Sequence, residues 1–257
     1  MLNQRIQFTG EGNRLLDGII RVPDENSKQP IMIICHDFLE NMDRDIIADL
    51  AIAIANEGIA ATLRFNFNIP GNKFGESTET TMTHKIQDLK KAVEYVKKLE
   101  YIELDRIFLL GHGLGGDVCL CCEEQNLMGL VTIGTRSDLT TFMKSYFNDF
   151  EISEWLKTNV FRYGSITLLS SVYSDIKKYD VLKSAGKSDC PVLVIHGTDD
   201  RRNDSGDAVR IRSACKYGTL EIAEGADHYF SDPKDKSYIL NVIMNWMLRL
   251  LGSLRVV

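Results

Sequence analysis

Short apolar runs alternate along the chain with longer stretches whose apolar residues recur at helical spacing. Residues 30–35, 59–65, 106–110, 127–133, 191–196 and 219–223 are β-branched and nearly continuous in apolar character, which predicts strands covered on both faces. Between them, Ile46, Ile47, Leu50 and Ile54 predict a helix that Asn56-Glu57-Gly58 stops. Ile86, Leu89, Ala92, Val93, Val96 and Leu99 predict another within residues 80–99, with its lysines on a solvated face. A last helix over about 236–251 carries Ile239, Val242, Ile243, Trp246 and Leu250 on one side. Strands and helices in alternation predict an α/β domain built on a largely parallel sheet. The opening differs: residues 5–9 and 14–22 flank Gly10-Glu11-Gly12-Asn13 and predict an antiparallel hairpin.

Residues 134–190 break the alternation. They are too many for a strand-to-helix connection, hold a cluster of aromatics (Phe142, Tyr146, Phe147, Phe150, Trp155, Phe161, Tyr163) and show no evident parallel strand. Connections of that length inside a compact domain are commonly lids or inserted caps. Residues 136–187 are therefore expected to form a cap between the sixth and seventh strands, on a core of residues 1–135 and 188–257, with the aromatics making a small core of its own.

The 257 residues are 44% hydrophobic and 26% charged, an ordinary globular composition. Lys+Arg 30 against Asp+Glu 36 leaves a net charge of −6, which disfavours nucleic acid or an anionic membrane surface as the main partner. The six cysteines form no metal-type CxxC pair, and the adjacent Cys121-Cys122 reads as a buried helix face. With no N-terminal signal pattern and no long uncharged apolar run, a cytoplasmic protein is expected, without cofactor or metal.

The most informative segment is Gly111-His112-Gly113-Leu114-Gly115-Gly116, a glycine-dense turn between a strand and a helix. Two mechanisms use that geometry. Gly111, Gly113 and Gly116 fit G-x-G-x-x-G, in which a helix N-terminus faces the pyrophosphate of NAD(P). Such a turn normally follows the first strand of its fold, however, and here several strands precede it. Arg136, after the next strand, is the residue that would meet a 2′-phosphate.

The other mechanism is the nucleophile elbow G-x-S-x-G. Gly111–Gly116 resembles the Gly-His-Ser-x-Gly-Gly of the α/β-hydrolase family, with glycine where serine should stand. Cys35-His36-Asp37-Phe38 resembles that family's His-Gly-Phe loop, and Arg64-Phe65-Asn66-Phe67 with Gly71 and Gly75-Glu76-Ser77 resembles its next loop. His196-Gly197-Thr198-Asp199-Asp200 is similar to His-Gly-x-x-Asp, and Gly225-Ala226-Asp227-His228 to Gly-Ala-x-His. Elbow, acid and histidine follow in the order this fold requires. The whole pattern most resembles the small cinnamoyl/feruloyl-esterase-like carboxylesterases, which carry a cap where the long insertion lies.

The resemblance implies an α/β-hydrolase fold with Asp200 and His228 as acid and histidine of a triad, Gly113 at the vacant nucleophile position, and Phe38 and Leu114 supplying oxyanion-hole amides. Asp199 is the rival acid, one residue away. Asp37, where the family has glycine, places a carboxylate near the oxyanion site, and Asn66 replaces an acid. Cys35 and Cys119 are conceivable replacement nucleophiles. His36, His196 and His112 read as structural, with His112 on the other side of the turn, and His84 as a surface residue. The expected protein is a pseudoenzyme or ligand-binding protein holding a small ester or acid-like molecule under the cap, with a homodimer left open. The alternatives are an esterase active on small carboxylic esters, through another nucleophile or with Gly113 as an inactivating substitution, and an NAD(P)-binding protein.

Overall fold

Leu2 lies opposite Val22 in an antiparallel hairpin of β1 (Leu2–Thr9) and β2 (Leu15–Val22), closed by a 3-10 turn at Glu11–Asn13. The computed structural model describes residues 1–67, 77–78, 81–163 and 166–252. After the hairpin come β3 (Gln29–Cys35), α1 (Asp45–Asn56), β4 (Ala61–Phe65), β5 (Ser77–Thr78) and α2 (Met82–Val96). Then follow β6 (Ile102–His112), α3 (Leu114–Cys121) and β7 (Gly129–Ile133). The insertion holds a 3-10 turn at Phe142–Ser145, α4 (Asp149–Thr158), β8 (Val160–Tyr163), β9 (Ile166–Leu169), α5 (Ser170–Ile176) and α6 (Val181–Lys187). The chain ends through β10 (Val192–Gly197), α7 (Gly206–Ala214), β11 (Gly218–Ala223) and α8 (Pro233–Leu250).

Eight strands form one sheet in the order β1-β2-β4-β3-β6-β7-β10-β11. The β1–β2 and β2–β4 pairs are antiparallel and the remaining pairs parallel, so the sheet is mixed only at its N-terminal edge. Successive side chains of a strand point to opposite faces, and β3 shows the consequence. Ile31 and Ile33 join one buried layer with Ile86, Leu89 and Val93 of α2 and Val118 of α3. Met32 and Ile34 join the other, with Ile46, Leu50 and Ile54 of α1 and Ile239, Ile243 and Trp246 of α8. A helix layer on each side is why these strands are apolar along their whole length.

Two expectations need correction. The insertion does contain strands: β8 and β9 form an antiparallel hairpin, and β9 pairs parallel with β5, Ser77 opposite Thr167. Strands of two and four residues are too short to display an alternation. Lys85, expected on the solvated face of α2, is buried, with its Nζ 4.6 Å from the centroid of the Phe67 ring. Within the insertion Trp155 is fully buried, packs edge-on against Phe147 and Tyr173, and donates from Nε1 to the Leu168 carbonyl at 3.0 Å. Phe150 stands outside this small core, 74% exposed.

Candidate active site

The turn from β6 into α3 passes through Gly113 at φ 51° and ψ −122°. A residue with a β-carbon is strained in that region by about 1–3 kcal/mol, and glycine largely escapes the cost. The loops after β3, β7, β10 and β11 meet this turn at the C-terminal edge of the parallel strands, where open α/β sheets gather their functional side chains.

Asp200 follows β10 and His228 follows β11. Nδ1 of His228 is 2.7 Å from Oδ2 of Asp200. Asp200 is fixed in turn by the amides of Arg202 at 2.8 Å and Asn203 at 2.9 Å, and by His196 Nε2 at 3.1 Å. Asp199 makes no such contact with His228 among the described residues; its amide donates to the Ala226 carbonyl at 3.0 Å. The opposite nitrogen of His228, Nε2, lies 3.2 Å from Oδ2 of Asp37. Asp37 Oδ1 accepts the Leu114 amide at 2.6 Å, and Oδ2 also accepts the hydroxyl of Tyr146 at 3.1 Å.

Asp37 therefore lies against Gly113. A β-carbon built on residue 113 would overlap the Cγ and Oδ1 of Asp37 and sit 2.7 Å from its Oδ2. The Leu114 amide, one of the two expected oxyanion donors, is engaged by this carboxylate. Phe38, the other, packs its ring edge-on against Phe142 and Tyr146 at 5.0 and 5.1 Å. The aspartate is held from behind by its neighbour: His36 Nδ1 donates to the Asp37 carbonyl at 2.8 Å while its Nε2 accepts the Phe67 amide at 3.2 Å. Burial, with the charge of Lys85, pushes His36 down to about 3, so it serves as a neutral bracket.

The electrostatics follow from the contacts. Ionised carboxylates only accept hydrogen bonds, so a histidine between two of them needs a proton on each nitrogen. Burial opposes the charge on His228, but its hydrogen bonds to Asp200 and Asp37 and their charges outweigh burial and raise its pKa above the ordinary histidine value. Burial likewise opposes ionisation of Asp37, and its hydrogen bond to His228, with the charges of His228 and Arg136, overrides it, holding the carboxyl well below its usual range. Asp200 is lowered in the same way, burial being overridden by His196 and His228. The contacts of His228 with Asp200 and Asp37 thus favour its protonated, imidazolium form.

His112 is closer to the centre than its sequence position suggests. Its ring centroid is 4.6 Å from that of His228, and its Nε2 lies 2.8 Å from the His228 carbonyl. Burial and the charge of His228 push it down to about 4, so it braces the loop as a neutral ring. Asp37, His112 and His228 can each bring one ligand atom within 4.8 Å of the others, a span one cation could bridge by contraction. Asp37 and His228 already spend theirs on each other, which leaves His112 Nδ1 as the one of the three ligand atoms without a hydrogen-bond partner among the described residues.

The remaining candidates are placed as follows. Cys35 and Cys119 are buried free thiols, and burial together with its Cys35 contact pushes Cys119 well above the ordinary thiol value, away from the nucleophilic thiolate. Asn66 accepts the Met42 amide at 2.8 Å and orders the loop after β3. Gly71, Gly75 and Glu76 lie outside the described residues. Sequence reasoning missed the role of Tyr146 and the reach of Asp37 to His228. A signal for the second was present in two departures that complement each other, a glycine where a side chain is expected and a side chain where glycine is expected.

Residues 70–254 match the family described as the prolyl oligopeptidase family. The chain belongs to that family. An uncharacterized 31.7 kDa protein from the traX-finO intergenic region of Escherichia coli is 25% identical, over 84% of this chain and 90% of that one. Among solved structures, Est1E from Butyrivibrio proteoclasticus superposes with a TM-score of 0.80 at 18% identity, covering 96% of this chain and 99% of its own. The α/β hydrolase GrgF from Penicillium sp. sh18 gives 0.80 at 17% identity, covering 98% and 100%. These likenesses establish the α/β-hydrolase fold for this member of the prolyl oligopeptidase family. One structure of Est1E holds ferulic acid.

Proposed function

We propose that this protein is a disarmed relative of the cap-bearing carboxylesterases, a pseudoenzyme that binds a small ester or acid-like molecule under a cap formed by residues 136–187. One observation carries the reading: the carboxylate of Asp37 fills the space that a side chain on residue 113 would need. Acyl transfer at an elbow requires a hydroxyl or thiol, a neutral histidine to take its proton, and free amides for the oxyanion. Gly113 offers no attacking atom. His228, as an imidazolium, has no lone pair with which to accept a proton. The Leu114 amide already holds a negative charge, and a second one developing beside Asp37 would be repelled.

The same contact weighs against a dinucleotide at the glycine turn, because the first amide of α3 is taken by Asp37. An active hydrolase with a different nucleophile is the second reading, and it too rests on a single contact: Asp37 is the carboxylate within reach of His228 Nε2. Treatment with a fluorophosphonate and with p-nitrophenyl acetate, followed by intact-mass analysis, separates the readings. A disarmed elbow gives neither burst nor adduct. A stable acyl or phosphonyl adduct on any residue, formed in stoichiometric amount, would overturn it.

A further inference from the structure

A cavity of about 920 Å³ is bounded by the segment after β7, the segment from the end of α5 into α6, and the loop into α7 with the first turn of that helix. Five cationic side chains line it: Arg136, Lys144, Lys177, Arg202 and Arg210. Four carboxylates line it too, but each has donors of its own. Asp138 accepts the Thr140 amide at 2.8 Å, Asp180 the Lys183 amide at 3.0 Å and Asp204 the Gly206 amide at 2.7 Å. Asp207 accepts the Ser137 amide at 3.1 Å and pairs with Arg210 at 2.8 Å. Lys144 is 3.5 Å from Asp149.

The remaining three cations face aromatic rings, with no ion-pair partner among the described residues. Lys177 lies 4.0 Å from the Tyr173 centroid, and Arg136 and Arg202 approach the Tyr146 ring at 5.7 and 5.1 Å. Arg136 is 3% exposed. Its Nη2 donates to Ser145 Oγ at 2.9 Å, yet its Nη1 has no hydrogen-bond partner among the described residues. A buried guanidinium with unused N–H groups is costly to leave unsatisfied, and its planar fork matches an oxyanion.

We infer that this cavity binds a small organic anion, a carboxylate or a phosphate monoester, with its charged head on Arg136 and Arg202 and its body along Leu139, Tyr179 and Leu182. The inference rests on the ligand-binding reading above and gives it a chemical class. The chain as a whole carries −6, whereas this wall sets five cations against four carboxylates and leaves Arg136, Lys177 and Arg202 without an ion-pair partner among the described residues, a balance that favours a negative ligand.

Titration calorimetry at fixed ionic strength with ferulate, phenyl phosphate and the neutral methyl ferulate tests it. At least one of the two anions should bind, the tighter of them giving the source, with methyl ferulate at least tenfold weaker. Arg202→Gln should weaken the anion tenfold or more, while Lys216→Gln, between α7 and β11, paired with Asp189 at 3.0 Å and outside the cavity lining, should leave it unchanged. Arg136→Gln should do the same as Arg202→Gln, provided its thermal unfolding stays cooperative; Arg202→Gln carries the test if it does not. Equal binding of the neutral ester, no binding of either anion at millimolar concentration, or full affinity in Arg202→Gln would overturn the site. Anion binding and fluorophosphonate labelling are independent readouts, so a failure here without labelling removes the anion site and leaves the disarmed elbow standing.

Discussion

Nε2 of His228 is 3.2 Å from a carboxylate oxygen of Asp37, a residue 191 positions away in the chain, while its Nδ1 is 2.7 Å from Asp200. In a working hydrolase of this fold, Nε2 faces the attacking hydroxyl. Here it faces the carboxylate of Asp37, and the histidine joins the loops that carry Asp37 and Asp200.

The charge on His228 is measurable. Its imidazole should titrate above the ordinary value of 6.5 in NMR spectra, and Asp37→Asn should bring the midpoint down by removing one of the two carboxylates. Stability should follow with the matching sign. The raised histidine contributes stability that is full below 6.5 and lost as pH rises through its folded value. The depressed Asp37 and Asp200 contribute above 3.8 and lose their share as pH falls toward their lower folded values. The melting temperature should therefore be highest between these limits and fall on going from pH 6 to pH 9, with a shallower fall in His228→Gln.

Gly113 and Asp37 should be energetically coupled. Gly113→Ser adds backbone strain of about 1–3 kcal/mol and overpacking against Asp37 of about 1–3 kcal/mol. Asp37→Gly removes the obstruction. Denaturant unfolding of the two single variants and the double variant should give a double variant more stable than the sum of the singles predicts, by about 0.5–3 kcal/mol. Additivity within error would mean that the two side chains do not compete for the same space.

The insertion should depend on Trp155. Truncation to alanine removes a fully buried indole and leaves the Leu168 carbonyl without its donor. A loss of about 3–5 kcal/mol is expected in chemical denaturation, and limited proteolysis should show cleavage within 136–187 before the core is cut.

The sheet and its covering helices were legible because burial on two faces writes itself into the sequence, as at β3, where all seven residues are buried. The order of glycine turn, Asp200 and His228 was legible because each sits at a strand end in a short motif. The hairpin of β8 and β9 was not, since four-residue strands stabilised by Trp155 and by pairing with β5 leave no periodicity of their own. Lys85 could be placed on a helix but not inside the protein, because its burial under Phe67 depends on a loop from another part of the sheet. Asp37 was legible as a charge in the wrong place. That its side chain reaches His228, and that Tyr146 reaches it from the insertion, are contacts across 191 and 109 positions that no local pattern records.

The most direct measurement is fluorophosphonate labelling of four proteins: the natural sequence, Gly113→Ser, Asp37→Gly, and the double variant. With Asp37 in the elbow and His228 held as a cation, the natural protein, Asp37→Gly and Gly113→Ser should remain unlabelled, and the double variant should acquire a label on residue 113. Labelling of the natural protein, or of Gly113→Ser as readily as of the double variant, would contradict the claim that this carboxylate has taken the place of the nucleophile.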